Sequence, residues 1–396
     1  MPHLMNTYAR LPVAFTHGRG AWLYDEHGQE YLDALAGIAV NGLGHAHSRF
    51  VAALADQAGK LIHTSNVYRV LEQEALSDQL CELSGMDEVF FGNSGSEANE
   101  GALKLVRLYG HKHGNPQAQT IVMERAWHGR TLATLAATGS EKARKGFDPL
   151  PTGFIRVPYN DLAAVQRIGD ADTRVQAVWL EVLQGEGGIQ VADLDYLRGL
   201  RTLCDQRGWL LMVDEVQCGI GRTGKWFGYQ WSGIQPDVVT LAKGLGSGMP
   251  IGAVLARGEA AGVFGPGNHG TTFGGGPLAC RAGLETLAII ADEKLMENAT
   301  ARGAQIRAGF EREFKGVAGV KSVRGQGLML GIELDRPCSE IVKQALAAKL
   351  LINVTQDSVI RLLPPLIINA READEIVARL APLVRAFVSA PVAAAA

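Results

Sequence analysis

The chain has few cysteines and no long apolar run, and each absence excludes a class of protein. The five cysteines among 396 residues are scattered, without a C-x-x-C pair. This argues against a disulfide framework and a zinc site, and is typical of a reducing compartment. No segment of the sequence approaches the ~18 consecutive apolar residues of a membrane span, and the N-terminus lacks the apolar core of a secretory signal. We therefore expect a soluble, cytoplasmic protein with no metal site.

A large excess of positive or negative charge is also missing, since the formal net charge is only -3. This balance provides no electrostatic attraction to nucleic acid or to an anionic membrane. The hydrophobic fraction of 47% is ordinary for a globular protein. Glycine is abundant, with 48 residues, and glycine permits tight turns and close approach of the backbone to a ligand.

The order of strand-like and helical segments predicts two domains. Between 46 and 276, apolar strand-like runs alternate with helical periods, which is typical of an α/β domain with a mostly parallel sheet. Residues 277–390 predict two long helices, at about 277–314 with a break and at 338–350, then short strands and a final helix, hence a smaller α+β domain. We assign the strand-and-turn segment 1–45 to this smaller domain and expect a disordered tail at 391–396. The strand-like runs of the large domain are 88–91, 120–123, 175–180, 209–213, 238–241 and 251–255.

A lysine and an acid follow two of these apolar runs. Asp214 ends the run 209–213, and Lys243 follows 238–241 in a glycine-flanked turn. This pair suits an enzyme of pyridoxal phosphate, because the lysine amine bonds to the cofactor aldehyde and the acid keeps the pyridine nitrogen protonated. Most lysines are solvated surface residues, so the interpretation depends on the other residues nearby.

One neighbouring segment, Asn93–Glu100, predicts a phosphate site. Ser94 and Glu97 have the spacing of a capping box, so a helix should begin here. The free N–H groups of a helix N-terminus attract phosphate, and Gly95 lets the backbone approach closely. A capped helix without a ligand is the ordinary alternative.

Further polar residues follow the next strands. Trp127 could lie flat on an aromatic cofactor, and Arg130 could bind a carboxylate with two hydrogen bonds. Glu181, Glu186 and Gln217 follow strands whose carboxyl ends should meet at the crevice where α/β proteins bind ligands. Core packing of the tryptophan and a surface position of the arginine are the alternatives.

Two later segments complete the candidate site. Thr271 and Thr272 lie in a glycine-rich loop with donors for an anion, although such loops are often only turns. Arg361 lies in the apolar strand 359–363, where burial of a charge without a partner is costly. A salt bridge to a structural acid is the alternative for this arginine.

Six motifs in this order resemble the class III (ω-amino acid) aminotransferases of pyridoxal phosphate fold type I, over about residues 7–385. The resemblance implies a large domain with a mostly parallel sheet of the seven-stranded type and a smaller α+β domain built from both chain ends. Three N-terminal segments are most similar to the acetylornithine aminotransferase subfamily: 10–14, 37–45 and 62–66. The six motifs are Asn93–Glu100, Trp127–Arg130, Gln184–Gly187, Asp214–Gln217, Lys243 and Thr271-Thr272.

The resemblance also implies a role for each residue. Lys243 and Asp214 would be catalytic, and a homodimer would share its active sites through Thr272, which would reach the partner's phosphate. Arg130, with Thr271 nearby, would bind the α-carboxylate of acetylornithine. Arg361 would bind the α-carboxylate of glutamate, with Glu186 as its switchable partner. The implied contacts to pyridoxal phosphate are Gly95, Ser96, Trp127, Asp214, Glu215, Val216, Gln217, Lys243 and Thr272.

The expected reaction moves the δ-amino group of N2-acetyl-L-ornithine to 2-oxoglutarate, an amino-acid and oxo-acid pair. Three groups of alternatives remain open. The first is another ω-aminotransferase, acting on succinyl-diaminopimelate, succinylornithine, ornithine or 4-aminobutyrate. The second is a fold type I mutase, racemase or decarboxylase. The third is a ligand-sensing module that kept the fold.

Overall fold

The structure, a computed structural model, describes residues 3–390, and the expected disordered tail at 391–396 lies outside the described residues. Its strands, in chain order, are β1 (Phe15–Arg19), β2 (Trp22–Asp25), β3 (Glu30–Asp33), β4 (Glu88–Gly92), β5 (Gln119–Met123), β6 (Phe154–Val157), β7 (Val175–Leu180), β8 (Leu183–Gln184), β9 (Gln190–Val191), β10 (Leu210–Asp214), β11 (Val238–Leu241), β12 (Gly252–Ala256), β13 (Val320–Gln326), β14 (Met329–Leu334), β15 (Leu350–Leu351), β16 (Asn353–Thr355) and β17 (Val359–Leu362).

The α-helices alternate with the strands of the first part of the chain and dominate the last part. No helix among residues 3–390 is long and apolar enough to cross a membrane. Apart from the four-residue segment Ala36–Ala39, in which Gly37 and Ile38 have left-handed φ values, the helices are α1 (Ser48–Lys60), α2 (Leu71–Ser84), α3 (Gly95–Lys112), α4 (Leu132–Ala137), α5 (Glu141–Arg144), α6 (Leu162–Ala171), α7 (Leu194–Arg207), α8 (Pro277–Asp292), α9 (Leu295–Glu313), α10 (Glu340–Ala347) and α11 (Ala370–Ser389).

The central sheet has seven strands in the order β4-β12-β11-β10-β7-β5-β6. The six predicted strands are all present, and the sheet is mostly parallel, as expected. Strand β12 is the exception, because it runs antiparallel to both β11 and β4. Its connection from β11 is only residues 242–251, too short for the crossover that a parallel neighbour requires. The edge strand β6 was not predicted from the sequence.

Apolar side chains cover both faces of this sheet. Along β10, Leu211 and Val213 belong to one buried cluster, whereas Leu210 and Met212 belong to another. Alternate residues of a strand point to opposite faces, so the two clusters lie on the two sides of the sheet. A strand buried on both faces is an uninterrupted apolar run in the sequence, which is why β10 was readily predicted.

The smaller sheets connect the two ends of the chain. Strand β3 pairs in parallel with β15, so the N-terminal segment joins the C-terminal part of the chain. The predicted helix 338–350 is shorter than expected: α10 ends at Ala347, and Lys349 has a left-handed φ of 61°, which a helix does not continue through. The domain boundaries at residues 45 and 276 stay predictions.

Candidate active site

Three neighbouring parallel strands, β7, β10 and β11, end at one cavity of about 380 Å³. Glu181 follows β7, Asp214 ends β10, and Lys243 comes two residues after β11. All three residues line the cavity. The expectation that successive strand ends bring their polar groups together is therefore confirmed, since the carboxyl ends of parallel strands share one edge.

Lys243 lies in a strained turn at the wall of the cavity. Its φ is 40°, an uncommon value for a residue with a side chain. Burial lowers the pKa of its amine, and the positive charge of Arg361 lowers it further, while Glu186, Asp214 and Glu181 act in the opposite direction. A lowered pKa makes the neutral, nucleophilic amine more available at neutral pH.

The Asp214 carboxylate is held by three donors. Its Oδ1 accepts from the backbone N–H of Val216 at 3.0 Å. Its Oδ2 accepts from Asn99 Nδ2 and from His128 Nδ1, both at 2.8 Å. With its side chain 3% exposed, the carboxylate is oriented by the protein rather than by water. It is preorganised to meet a cation or an N–H⁺ group in the cavity.

Sequence reasoning gave no role to His128 or Asn99. The His128 ring stacks on Trp179, with 3.7 Å between ring centroids and 15° between planes. Asn99 also donates from Nδ2 to the backbone oxygen of His128 at 2.7 Å, so the two residues support each other. A sequence signal was present for Asn99, which lies one helical turn after Gly95 and so shares its face.

The helix α3 begins where the phosphate site was predicted. Ser94 is its N-cap and accepts from the backbone N–H of Glu97 at 3.2 Å. Gly95 and Ser96 line the cavity, and the amides of a first helical turn have no carbonyl within the helix to bond. A methyl group at Gly95 would lie 2.8 Å from Val216 Cγ1. The glycine is thus needed for close packing beside the cavity.

Trp127 lines the cavity, and the Arg130 guanidinium lies over its indole, 4.7 Å from the ring centroid. Arg130 is exposed, and its backbone N–H donates to Ser96 Oγ at 3.3 Å. The arginine is therefore at the rim of the cavity, free to bind an anionic group.

A second arginine approaches the cavity from β17. Arg361 Nη1 donates to Glu186 Oε1 at 2.6 Å and to Gln217 Oε1 at 3.1 Å. Arg361 is completely buried, and its Nη2 has no hydrogen-bond partner among residues 3–390. Arg361 lies next to the cavity, because its partner Gln217 lines it. The free Nη2 donor of this buried guanidinium can therefore bind a carboxylate that enters the site.

Glu181 connects two loops of the cavity wall. Its Oε1 accepts from the backbone N–H of Trp127 at 2.8 Å, and its Oε2 accepts from that of Gly185 at 3.1 Å. Burial, and after it the negative charge of Asp214, raises the pKa of Glu181 to about 8. The sequence offered no chemical role for this residue beyond its position at a strand end.

Six of the predicted site residues are not part of the cavity lining: Arg130, Glu186 and Arg361, which are described above, and Glu215, Thr271 and Thr272. The Glu215 carboxylate faces elsewhere and accepts from the backbone N–H groups of Gly228 and Tyr229 at 2.9 and 2.8 Å. Thr271 contacts a residue of the cavity lining, because its hydroxyl accepts from Asn93 Nδ2 at 3.3 Å. Thr272 is exposed, and its predicted contact with the partner's phosphate stays a prediction.

The residues of the cavity fit pyridoxal phosphate. An amine stands at one end of a strand, a fixed carboxylate ends the neighbouring strand, an indole forms part of the wall, and a helix N-terminus with small residues provides amide donors for a phosphate. The described residues, 3–390, contain no group of three or more His, Cys, Asp or Glu side chains able to hold a metal ion.

Comparison with known proteins matches nearly the whole chain. The family model described as "Aminotransferase class-III" covers residues 4–384. Acetylornithine aminotransferase 1 of Bordetella bronchiseptica is 63% identical over 386 residues, covering 98% of both chains.

Solved structures agree in fold. Ornithine aminotransferase of Toxoplasma gondii has a TM-score of 0.93 at 34% identity, covering 98% of this chain and 93% of its own. N-acetylornithine aminotransferase of Stenotrophomonas maltophilia has a TM-score of 0.84 at 35% identity, covering 96% of this chain and 98% of its own.

Proposed function

Because the chain belongs to the class III aminotransferases, we propose that it transfers the δ-amino group of N2-acetyl-L-ornithine to 2-oxoglutarate, giving N-acetyl-L-glutamate 5-semialdehyde and L-glutamate. The observation that carries the choice of substrate is the 63% identity, over almost the full length, to a relative named for acetylornithine. The reaction is a step of arginine synthesis.

The cofactor of the family is pyridoxal phosphate, which supplies an aldehyde that bonds amino groups and a ring that accepts electrons. Lys243 would bond to the cofactor aldehyde, and its free amine would accept and donate the proton that moves between carbon atoms. Asp214 pairs with the ring nitrogen, and the three donors on this carboxylate keep it in place.

The remaining cofactor contacts follow from the lining of the cavity. Trp127, Val216 and Gln217 line the cavity, and there Trp127 would stack on the cofactor ring while Val216 and Gln217 would contact it. Gly95 and Ser96 bind the phosphate at the start of α3, with Thr272 of a second subunit completing the site in a homodimer. The Glu215 carboxylate accepts from the backbone N–H groups of Gly228 and Tyr229, so it supports the loop after β10 and does not contact the cofactor directly.

The two arginines account for two substrates that present different amines. Arg130, with Thr271 nearby, binds the α-carboxylate of N-acetylornithine. Arg361 binds the α-carboxylate of glutamate, and Glu186 covers it while the ω-amine donor is bound. A carboxylate that can pair with a buried arginine and then release it lets one site accept both.

A cytoplasmic location is part of the proposal. The five cysteines are all free thiols, and four of them are buried. Free thiols are ordinary in a reducing compartment, whereas secreted proteins tend to pair them.

A second candidate is ornithine δ-transamination, which is favoured by the TM-score of 0.93 to the Toxoplasma enzyme. A TM-score reports the path of the backbone, whereas substrate choice depends on side chains, so we give more weight to identity. A mutase, racemase, decarboxylase or sensor finds no support among these relatives.

The experiment compares kcat/KM for N-acetylornithine, N-succinylornithine, succinyl-diaminopimelate, ornithine and 4-aminobutyrate, each with 2-oxoglutarate. We expect N-acetylornithine to have the highest value. Preference for free ornithine over its acylated forms would refute the proposed substrate.

A further inference from the structure

Strand β16 and the residue after it contact both members of the Glu186–Arg361 ion pair. We call this stretch, Asn353–Gln356, the support segment. Its residue Asn353 is paired with Arg361 across the antiparallel strands β16 and β17. The Asn353 amide oxygen accepts from Arg361 Nε at 3.1 Å. This bond fixes the direction of the guanidinium, because Nε lies in the same plane as both Nη atoms.

The other end of the support segment holds the backbone of Glu186. Thr355 Oγ1 donates to the Glu186 carbonyl oxygen at 2.5 Å, and Gln356 Nε2 donates to the same oxygen at 2.8 Å. Thr355 is buried and Gln356 is exposed. One carbonyl oxygen therefore accepts from two side chains of the support segment.

The backbone on both sides of Glu186 is held as well. Glu186 lies in the connection between β8 and β9, which pair with each other. Before it, the Gly185 N–H donates to Glu181. After it, Arg324 donates to the carbonyl oxygens of Gly188 at 2.6 Å and Ile189 at 2.9 Å.

The Glu186 side chain has fewer contacts than its backbone. The side chain is 30% exposed, and within residues 3–390 the only hydrogen-bond partner of its carboxylate is Arg361. A carboxylate on a fixed backbone can leave Arg361 when a dicarboxylate enters and return to the same place afterwards.

We propose that Thr355, together with Asn353 and Gln356, positions this ion pair and so sets the choice between the ω-amine donor and glutamate. The inference rests on the proposed function. The ω-amine donor places no carboxylate at Arg361, so it requires Glu186 to neutralise that buried charge. Glutamate brings its own carboxylate and requires Glu186 to leave. Loosening the support segment should therefore lower kcat/KM for the ω-amine substrate and leave kcat/KM for glutamate unchanged.

The test compares Thr355→Val, which removes the hydroxyl at nearly constant volume, with Thr355→Ser, which keeps it. We expect the valine variant to lower the ratio of kcat/KM for N-acetylornithine to that for glutamate about fivefold, the factor of one hydrogen bond. The loss should lie in the KM of the donor, and the serine variant should restore the ratio. Thr202→Val is the matched control, because it removes an exposed threonine hydroxyl that donates to the Arg198 carbonyl oxygen within α7, away from the ion pair.

A binding measurement separates positioning from general damage. Glutarate is an unreactive dicarboxylate, and calorimetry on the holoenzyme should show that Thr355→Val binds it more tightly than wild type, since Arg361 is less well covered. If melting curves show that Thr355→Val is unfolded, the test uses Gln356→Ala, which removes the second, exposed donor to the Glu186 carbonyl oxygen. We expect this variant to change the kcat/KM ratio and the glutarate affinity in the same directions.

An unchanged ratio in folded Thr355→Val and Gln356→Ala would overturn the inference, as would equal losses for both substrates. Failure of the proposed function has a different signature, because wild type itself would then not use N-acetylornithine. The ratio would in that case be measured with whichever ω-amine donor wild type accepts.

Discussion

His128 Nδ1 lies 2.8 Å from Asp214 Oδ2, and both side chains are buried. The histidine thus orients the carboxylate that faces the proposed ring nitrogen, while its own ring is stacked on Trp179. A hydrogen bond from a buried neighbouring side chain is a common way to hold a catalytic carboxylate in one orientation.

Replacement of His128 by phenylalanine should weaken cofactor binding. The variant keeps an aromatic ring against Trp179 and loses the donor to Asp214. A hydrogen bond to a charged group contributes about 1.5–3 kcal/mol, so the Kd for pyridoxal phosphate should rise about 10- to 100-fold. Absorbance titration of the apoprotein measures this, with the exposed His111→Phe as control. An unchanged Kd would contradict the role of this pair.

Lys243 should be the residue that carries the cofactor. Borohydride reduction of the holoenzyme followed by peptide mapping should place the label on Lys243, and Lys243→Ala should abolish both label and transamination. Lys142→Ala, at an exposed position, should change neither. A label on any other side chain would refute the assignment, which depends on the lowered pKa of this amine and its position in the cavity.

Removal of the Glu186 carboxylate should affect the two half-reactions differently. Glu186→Ala leaves Arg361 buried and without its anionic partner, so kcat/KM for N-acetylornithine should fall more than about tenfold. The value for glutamate should stay within about threefold, because glutamate supplies its own carboxylate. Glu311→Ala breaks a surface ion pair with Arg307 and is the control. Parallel losses in both half-reactions would argue against a switch.

Substitution at Trp127 should separate stacking from bulk. Trp127→Phe keeps an aromatic face, so we expect the cofactor Kd to change less than about fivefold, whereas Trp127→Ala should raise it more than about tenfold. Fluorescence or absorbance titration checks both. A large loss in the phenylalanine variant would mean that the indole does more than stack, for example by supporting Arg130 above it.

The pH dependence of stability should report on Glu215. Burial raises the pKa of its carboxyl from about 4.5 to about 7. A raised folded pKa favours the protonated form, so the associated stability is present below about pH 4.5 and is lost as the pH rises through about 7.

Urea unfolding of the apoprotein at pH 5 and pH 8 measures this loss. In Glu215→Gln the decrease between the two pH values should be smaller than in wild type by about 2 kcal/mol. Equal decreases in both proteins would show that Glu215 does not titrate in this range.

The sequence alone determined the positions of the central strands and most of the candidate site. Fully buried strands such as β10 are uninterrupted apolar runs, and the residues that follow them, Asp214 and Lys243, must lie at the same sheet edge because the strands are parallel. The start of α3 was visible in the spacing of Ser94 and Glu97, since capping depends on local backbone geometry.

Only the tertiary structure decided which distant groups meet. His128 and Asp214 are 86 residues apart in the chain, and Thr355 and Glu186 are 169 apart. No local pattern encodes such contacts, because they depend on how strands and loops pack in three dimensions. The same applies to Glu215, because its carboxylate accepts from the backbone N–H groups of Gly228 and Tyr229, which lie 13 and 14 residues further along the chain.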